Sequence, residues 1–291
     1  MFLSNALRRI YFGLQDFLVG QVRTILVLGF DALLQTGNLL TFNRRFGYVI
    51  AEGKPGRGGL WPPFEAPTKA DSRSPCPALN AMANHGILPR DGRGIPIAGL
   101  GPALCDTYNF SSSFAYFTLN YMAEMLQKSY AYDTFDLSDL LVHNGIEHDA
   151  SLTRYDVSRQ PDQAVPAQDL VDQLLASATG RDKQGNAMLT FADLTRFSTE
   201  RRDHSRATNG QYTLSTFHKL FGSSNTTTLI TIYGGRVDDL AVILKEERIP
   251  DGWEPRIRSR NGLTIMGMNA TVLPLEFGIK ERRGPRTVRL T

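Results

Sequence analysis

The chain has 291 residues, of which 42% are hydrophobic, which is enough for a full single-domain core. Its formal net charge is only +3, and no aromatic residues interleave with its arginine clusters at residues 201–202 and 282–289. Nucleic acid is therefore not an expected partner.

Residues 1–52 precede a stretch rich in proline and glycine, and residues 1–46 among them are dense in apolar side chains. Charges interrupt them at Arg8, Arg9, Asp16, Arg23 and Asp31. No run reaches the roughly 20 apolar residues that span a bilayer, and no clear signal-peptide cleavage site follows. We predict an N-terminal extension of one or two amphipathic helices with arginine on the polar face. Two roles are open: peripheral membrane contact through residues 1–50, or packing on the rest of the chain or on a second subunit.

The remainder of the chain is predicted to be mostly α. Residues 53–66 are rich in proline and glycine, cannot continue a helix, and are predicted to form an extended linker arm. Residues 67–291 are predicted to form one all-helical domain, because apolar residues recur there at helical spacing. The clearest segments are 114–126, 137–143, 167–175, 214–221 and 237–246.

A cysteine lies between two prolines in Ser-Pro-Cys-Pro-Ala-Leu-Asn, residues 74–80. Pro77 suits the first turn of a helix, and good helix formers follow it, so Cys76 is predicted at or near the N-cap. Unpaired N–H groups and the helix dipole there favour a thiolate. Such a thiolate suits a haem iron, and it also suits nucleophilic catalysis. A small buried thiol without a chemical role is the simplest alternative.

A second segment places two carboxylates, a histidine and a hydroxyl within five positions. It reads Glu-His-Asp-Ala-Ser-Leu-Thr-Arg, residues 147–154. Together with the cysteine segment it resembles the fungal haem-thiolate peroxidases, the family of chloroperoxidase and unspecific peroxygenase. The likeness covers about residues 65–260 and includes Pro-Arg-Asp-Gly-Arg-Gly-Ile at 89–95 and Gly-Trp at 252–253. It implies an all-helical haem-thiolate peroxidase domain.

The resemblance also implies two cofactors, haem b and a magnesium ion. Cys76 would be the axial ligand of the haem iron. Glu147, Asp149 and Ser151, with the backbone carbonyl of His148, would hold Mg²⁺, which prefers hard oxygen donors. The His148 side chain would hydrogen-bond a distal glutamate that moves a proton of hydrogen peroxide while the O–O bond breaks. The alternative for His148 is a solvated or propionate-paired histidine.

The expected distal glutamate is absent from this sequence. Alignment from both motifs brings Asn225 to its position, and no Asp or Glu occurs between Asp203 and Asp238. An asparagine cannot take up a proton, and the loss of a general base typically costs about 10²–10⁴-fold in rate. His218 is a weaker candidate for the missing base.

Three functions follow from this pattern. The first is a peroxidase or peroxygenase that uses hydrogen peroxide on a small organic molecule, with Asn225 and His148 as catalytic residues. The threonines at 226–228 favour an oxygenated substrate, such as one from secondary metabolism. The second is haem-dependent dehydration, isomerisation or rearrangement without peroxide. The third is haem binding without catalysis, against which the intact acidic segment argues.

The second cysteine bears on location. Cys105 has no partner once Cys76 ligates iron, so no disulfide is expected. We therefore expect an intracellular protein, associated with endomembranes if residues 1–50 bind them, with secretion as the alternative. A buried thiol of no consequence is equally consistent with Cys105. The sequence predicts no oligomeric state.

Overall fold

The computed structural model describes residues 2–281, with the side chains from residue 20 onward. This part of the chain is mostly helical, as predicted. Its helices are α1 (Phe2–Leu40), α2 (Pro77–Asn84), α3 (Ile97–Tyr108), α4 (Ser112–Met125), α5 (Gln168–Ala176), α6 (Phe191–Thr208), α7 (Thr216–Thr231), α8 (Val237–Lys245) and α9 (Ile265–Gly278).

Extended structure is confined to two short antiparallel pairs within the described residues. β1 (Ile95–Pro96) pairs with β2 (Thr134–Phe135), and β3 (Gly180–Arg181) pairs with β4 (Ala187–Met188). Two 3₁₀ turns, Arg57–Gly59 and Leu137–Leu141, complete the set. The second turn occupies the segment 137–143, for which apolar spacing predicted an α-helix.

Apolar periodicity missed three helices for identifiable reasons. The buried side of α6 carries Asp193, Arg201 and Arg202, so its inward face is not apolar. α9 is apolar on nearly all sides, so it shows little contrast between faces, and it contains Pro274. α3 likewise contains a proline, Pro102. α7 continues to Thr231, well beyond the predicted segment 214–221.

The N-terminal extension is one long helix, and its second half packs on α4 and α9. Asp31 is fully buried there, and its carboxylate accepts hydrogen bonds from the backbone N–H groups of Ile265 and Met266, both at 2.9 Å. It therefore caps the N-terminus of α9. Within the described residues, no helix combines the length and the apolar content needed to cross a membrane.

The predicted linker arm is bound along the domain. The indole N–H of Trp61 donates to the carbonyl of Trp253 at 2.8 Å. Trp253 in turn packs edge-on against Tyr108, with ring centroids 6.2 Å apart. The hydroxyl of Tyr108 donates to the carbonyl of Ala78 at 2.9 Å, at the start of α2. This aromatic cluster thus fixes the end of α2 that carries Cys76.

Candidate active site

The structure places Cys76 at the N-cap of α2, in an extended conformation with Pro77 as the first helical residue. Burial raises the pKa of the Cys76 thiol. The backbone N–H groups of Leu79 and Ala78, close to the sulfur, and the charge of Arg154 lower this pKa in part. The site thus offers donors for a thiolate but too little positive charge to form one alone. A metal ion bound to the sulfur would supply that charge, so this donor set fits a haem iron.

A buried hydrogen-bond network holds the cysteine loop from behind. Asn80, one turn into α2, accepts from the backbone N–H of Ser74 at 2.9 Å and donates to its carbonyl at 2.8 Å. Asn80 also donates to Glu247 Oε1 at 2.9 Å, and Arg154 donates to the same oxygen at 3.3 Å. Burial raises the pKa of Glu247 to about 7, although Arg154 opposes the shift. The loop before Cys76 is therefore tied to residues far away in the sequence.

Glu247 itself lies in a constrained piece of backbone. It follows the C-terminus of α8 with a φ of 49°, in the left-handed region that non-glycine residues rarely adopt. Its carbonyl accepts a hydrogen bond from Asn84 Nδ2 at 3.0 Å. This geometry turns the carboxylate inward, toward Asn80, instead of continuing the helix into solvent.

The acidic segment after residue 146 holds two carboxylates that are only half satisfied. Glu147 Oε2 lies 2.6 Å from Nδ1 of His143, and Asp149 Oδ2 accepts from the backbone N–H of Thr213 at 2.8 Å. Glu147 Oε1 and Asp149 Oδ1 are buried without a hydrogen-bond partner. Burial raises the pKa of both groups, and their mutual repulsion adds to that of Glu147. A cation between these two oxygens would relieve both effects.

The oxygen atoms around these carboxylates are of the kind that a hard cation prefers as ligands. The part of the chain that the structure describes holds no cluster of three or more His, Cys, Asp or Glu side chains arranged for a metal. The set implied by the resemblance contains only two such side chains, completed by a hydroxyl, a carbonyl and a haem propionate. Ser151 is partly buried, and its carbonyl is already bound by Arg201 Nε at 2.8 Å. Two orphaned carboxylate oxygens therefore fit Mg²⁺ without forming a complete protein-only site.

Asp156 anchors this loop to α6. Its carboxylate accepts from the backbone N–H of Ala150 at 2.9 Å, from Ser205 Oγ at 2.8 Å and from Asn209 Nδ2 at 2.9 Å. Ala150 has a φ of 63°, so the loop takes a sharp left-handed step between Asp149 and Ser151. The polar inward face of α6 thus serves to hold the acidic segment in place.

His148 is buried against α7. Its Nδ1 lies 2.8 Å from the carbonyl of Asp149, so Nδ1 carries the proton and Nε2 is left as an acceptor. Burial lowers the pKa of His148 to about 4, so the ring is neutral at pH 7. A Cβ atom on Gly222 would lie 2.9 Å from Cε1 of this ring and 3.1 Å from Nε2. Glycine at position 222 is what lets the imidazole approach the helix so closely.

Asn225 lies one helical turn beyond Gly222, and its side chain is exposed. His218 lies one turn before Gly222, with its ring centroid 6.1 Å from that of His148. Nδ1 of His218 lies 2.9 Å from Ser215 Oγ, and its Nε2 lies 3.3 Å from the carbonyl of Gly145. Both of its nitrogens are engaged, so His218 is held as a structural residue, and His148 keeps the freer nitrogen.

The threonines beside Asn225 use their hydroxyl protons within α7. Thr226 donates to the carbonyl of Gly222 at 2.8 Å, and Thr227 donates to that of Ser224 at 3.0 Å. Thr228 donates to the carbonyl of Asn225 at 2.6 Å. Thr226 and Thr227 are buried, so of these three threonines only the partly exposed Thr228 can offer its remaining acceptor capacity to a substrate.

Sequence reasoning assigned no role to several residues that shape this site. These are Asn80, His143, Arg154, Asp156, Gly222 and Glu247. Arg154 and Asn80 lie within the two motifs, so their spacing from Ser151 and Cys76 could have indicated a role in the site. Asp156 and Glu247 carry no local signal, because their partners lie in distant segments.

Comparison with known proteins identifies the family of the chain. Residues 62–258 match the model of the family "Peroxidase, family 2", so the chain belongs to that family, and the predicted resemblance is confirmed. A chloroperoxidase of Leptoxyphium fumago is 36% identical over 35% of this chain and 30% of its own length. An aromatic peroxygenase of Coprinellus radians is 32% identical over 32% of this chain and 42% of its own.

A longer alignment involves an aromatic peroxygenase of Cyclocybe aegerita, which is 27% identical over 70% of this chain and 61% of its own length. In each of these three comparisons the chain spans less than two thirds of the relative's length.

Proposed function

We propose that this protein is a haem-thiolate peroxidase or peroxygenase that uses hydrogen peroxide to oxidise an oxygenated small organic molecule, such as one of secondary metabolism. The observation that carries the proposal is Cys76 at the N-cap of α2, in a chain of this peroxidase family. Haem, when bound, supplies the iron at which peroxide is held and its O–O bond is broken.

The chain's own residues then have distinct tasks. Cys76 donates its thiolate to the iron, and the N–H groups of Ala78 and Leu79 stabilise the sulfur's charge. His148 Nε2 is the proton acceptor, since it is a buried neutral nitrogen whose tautomer is fixed by Asp149. Asn225 orients the peroxide by donating a hydrogen bond, because an amide cannot act as a base.

We propose further that Mg²⁺ binds between Glu147 and Asp149, with Ser151 and the carbonyl of His148. The two orphaned carboxylate oxygens support this assignment. Cys105, the cysteine that is not assigned to the iron, forms no disulfide, and this supports the proposal of a reducing, intracellular environment.

A second function, haem-dependent rearrangement or dehydration without peroxide, rests on Asn225 alone. Its exposed amide can bind a substrate oxygen but cannot accept a proton. In that reaction peroxide would have no role, so a peroxide assay separates the two functions.

The test begins with the spectrum of the haem-loaded ferrous protein under carbon monoxide. A strongly red-shifted Soret band is expected for the wild type and for Cys105→Ala, which removes the other thiol. Cys76→Ala should lose the band. A red-shifted band retained in Cys76→Ala would refute the assignment of Cys76 as the axial ligand. Conversion of an oxygenated substrate that needs no added peroxide would favour the second function.

A further inference from the structure

The second half of α1 turns its polar side chains toward the protein. Arg23 forms an ion pair with Glu124 of α4, and Asp31 accepts from the first N–H groups of α9. Gln35 accepts from the hydroxyl of Thr264, and Asn38 donates to the carbonyl of Gly262 at 2.9 Å. The side of the helix that packs on the domain therefore carries its polar groups, with Val27 packed on the core beside them, which is unlike an ordinary surface helix.

The opposite side of α1 is apolar and faces outward. Six side chains there are between 56% and 81% exposed: Val22, Ile25, Leu26, Leu33, Leu39 and Leu40. They recur at the spacing of one helix face, and we call this set the outer face of α1. From residue 24 to residue 40 the only charged side chain is Asp31, which is fully buried. Isolated exposed apolar residues are common, but a continuous uncharged stripe indicates a contact surface.

Aromatic and basic side chains border the outer face where α1 ends. Phe42 is 92% exposed and Phe46 is 51% exposed. The guanidinium of Arg258 lies 4.6 Å from the ring centroid of Phe46. Arg45 and Arg260 are exposed beside them, and Arg260 Nε donates to the carbonyl of Phe42 at 3.4 Å. Exposed aromatic rings next to arginines are typical of side chains at the boundary between acyl chains and lipid headgroups.

We infer that the outer face of α1 docks on the surface of a lipid bilayer that carries anionic headgroups. The apolar stripe enters the boundary between headgroups and acyl chains, and Arg45 and Arg260 meet the phosphates. The helix lies in the interface and does not cross it, in keeping with its length and apolar content. This inference does not depend on the reaction that the protein performs.

Charge distinguishes this occupant from a second copy of the chain. Parallel pairing of two outer faces about a two-fold axis would bring the two arginine-bordered ends of α1 close together, with like charges opposed. Antiparallel pairing would leave both ends without a counter-charge from the partner's outer face, because that face is uncharged. The nearby carboxylate of Glu254 does not neutralise the edge, because it is buried and turned inward to accept from the N–H groups of Gly47 and Gly58. An anionic lipid surface supplies the complementary charge.

The test is flotation of the full-length protein with vesicles of phosphatidylcholine, with and without phosphatidylserine. The wild type should bind both and bind the phosphatidylserine vesicles more tightly. Leu33→Glu should weaken binding at least about tenfold, because a charge then enters the apolar stripe. Arg45→Gln should reduce only the preference for phosphatidylserine, because Arg260 remains. Val165→Glu is the matched control, since Val165 is 54% exposed in a distant loop and gains the same charge.

Thermal melts of all variants check that these exposed substitutions leave the fold intact. Wild-type protein that stays with the lipid-free fraction would overturn the proposal. So would equal binding by Leu33→Glu, or an equal loss in Val165→Glu. A dimer in sedimentation velocity that Leu33→Glu dissociates, without vesicle binding by the wild type, would assign the outer face to a second copy instead.

Discussion

The guanidinium of Arg154 lies 3.3 Å from Oε1 of Glu247, and both side chains are buried close to Cys76. Arg154 lowers the pKa of the Cys76 thiol, and Glu247 raises it. When Glu247 is ionised the two charges largely cancel at the sulfur. When Glu247 is protonated, the charge of Arg154 acts on the sulfur alone and favours the thiolate. The protonation of one buried carboxyl thus bears on the electron richness of the proposed axial ligand.

Replacement of Glu247 by glutamine should change how stability depends on pH. Burial raises the pKa of Glu247 from 4.5 to about 7, so the folded state binds its proton more tightly than the unfolded state. The resulting stabilisation is fully present below pH 4.5 and is lost as the pH rises through about 7. It amounts to about 3 kcal/mol.

In Glu247→Gln the free energy of unfolding should therefore fall less between pH 5 and pH 8 than in the wild type, as measured by urea titration at each pH. Glu246→Gln is the matched control, because the neighbouring Glu246 is exposed and loses the same charge. If both variants followed the wild-type pH profile, Glu247 would be ionised normally in the fold.

Gly222→Ala should destabilise the protein, although the same change usually stabilises a helix interior by about 1 kcal/mol. The added methyl group would lie 2.9 Å from Cε1 of His148, so the ring or α7 must move, at about 1–3 kcal/mol. Gly29→Ala is the control, because no atom lies within 4 Å of the position of its Cβ. Chemical denaturation of both variants decides the point. A gain in Gly222→Ala equal to that in Gly29→Ala would place His148 elsewhere.

Local signals were sufficient to predict part of this site. Pro77 and the helix formers after it define the start of α2, so Cys76 at the N-cap followed from the residues alone. The hydrogen bond between Asn80 and Glu247, which holds the cysteine loop, could not be predicted in this way. The two residues lie 167 positions apart and meet only through the tertiary fold. α6 escaped prediction for a related reason. Its inward face is polar because it binds the acidic segment through Ser205 and Arg201, and apolar periodicity cannot detect such a face.

Asn225→Glu should raise the rate of peroxide-dependent oxidation by about 10²-fold or more, since it adds a carboxylate base to a site in which His148, with its pKa lowered to about 4, is the proton acceptor. Asn225→Gln is the matched control, because a glutamine side chain has the same length as glutamate but no basic group. The measurement is the initial rate of phenol oxidation by the haem-loaded protein with hydrogen peroxide. An equal rate in the two variants would mean that residue 225 lies outside the reach of the peroxide, or that peroxide is not the oxidant.

Magnesium should stabilise the haem-loaded protein through Asp149. A cation that binds only the folded state adds about 2.7 kcal/mol at a concentration one hundred times its Kd. We expect Mg²⁺ to raise the Tm of the wild type relative to EDTA. Asp149→Asn should lose this shift, because one orphaned anionic oxygen is gone. Asp251→Asn, at a fully exposed position, should keep it. A Tm shift of equal size in Asp149→Asn would place the cation at another site.

Asp31→Ala should loosen α1 from the domain. Three donors lose their acceptor at once: the N–H groups of Ile265 and Met266 and the hydroxyl of Ser113. All three contacts are to a buried carboxylate, so the free energy of unfolding should fall by at least about 2 kcal/mol. Asp31→Asn retains one carbonyl oxygen and should lose about half as much.

Limited proteolysis gives a second readout, since cleavage within residues 20–40 should become faster in Asp31→Ala and change little in Asp31→Asn. Equal proteolysis in wild type and Asp31→Ala would mean that the remaining contacts of Arg23, Gln35 and Asn38 suffice to hold the helix.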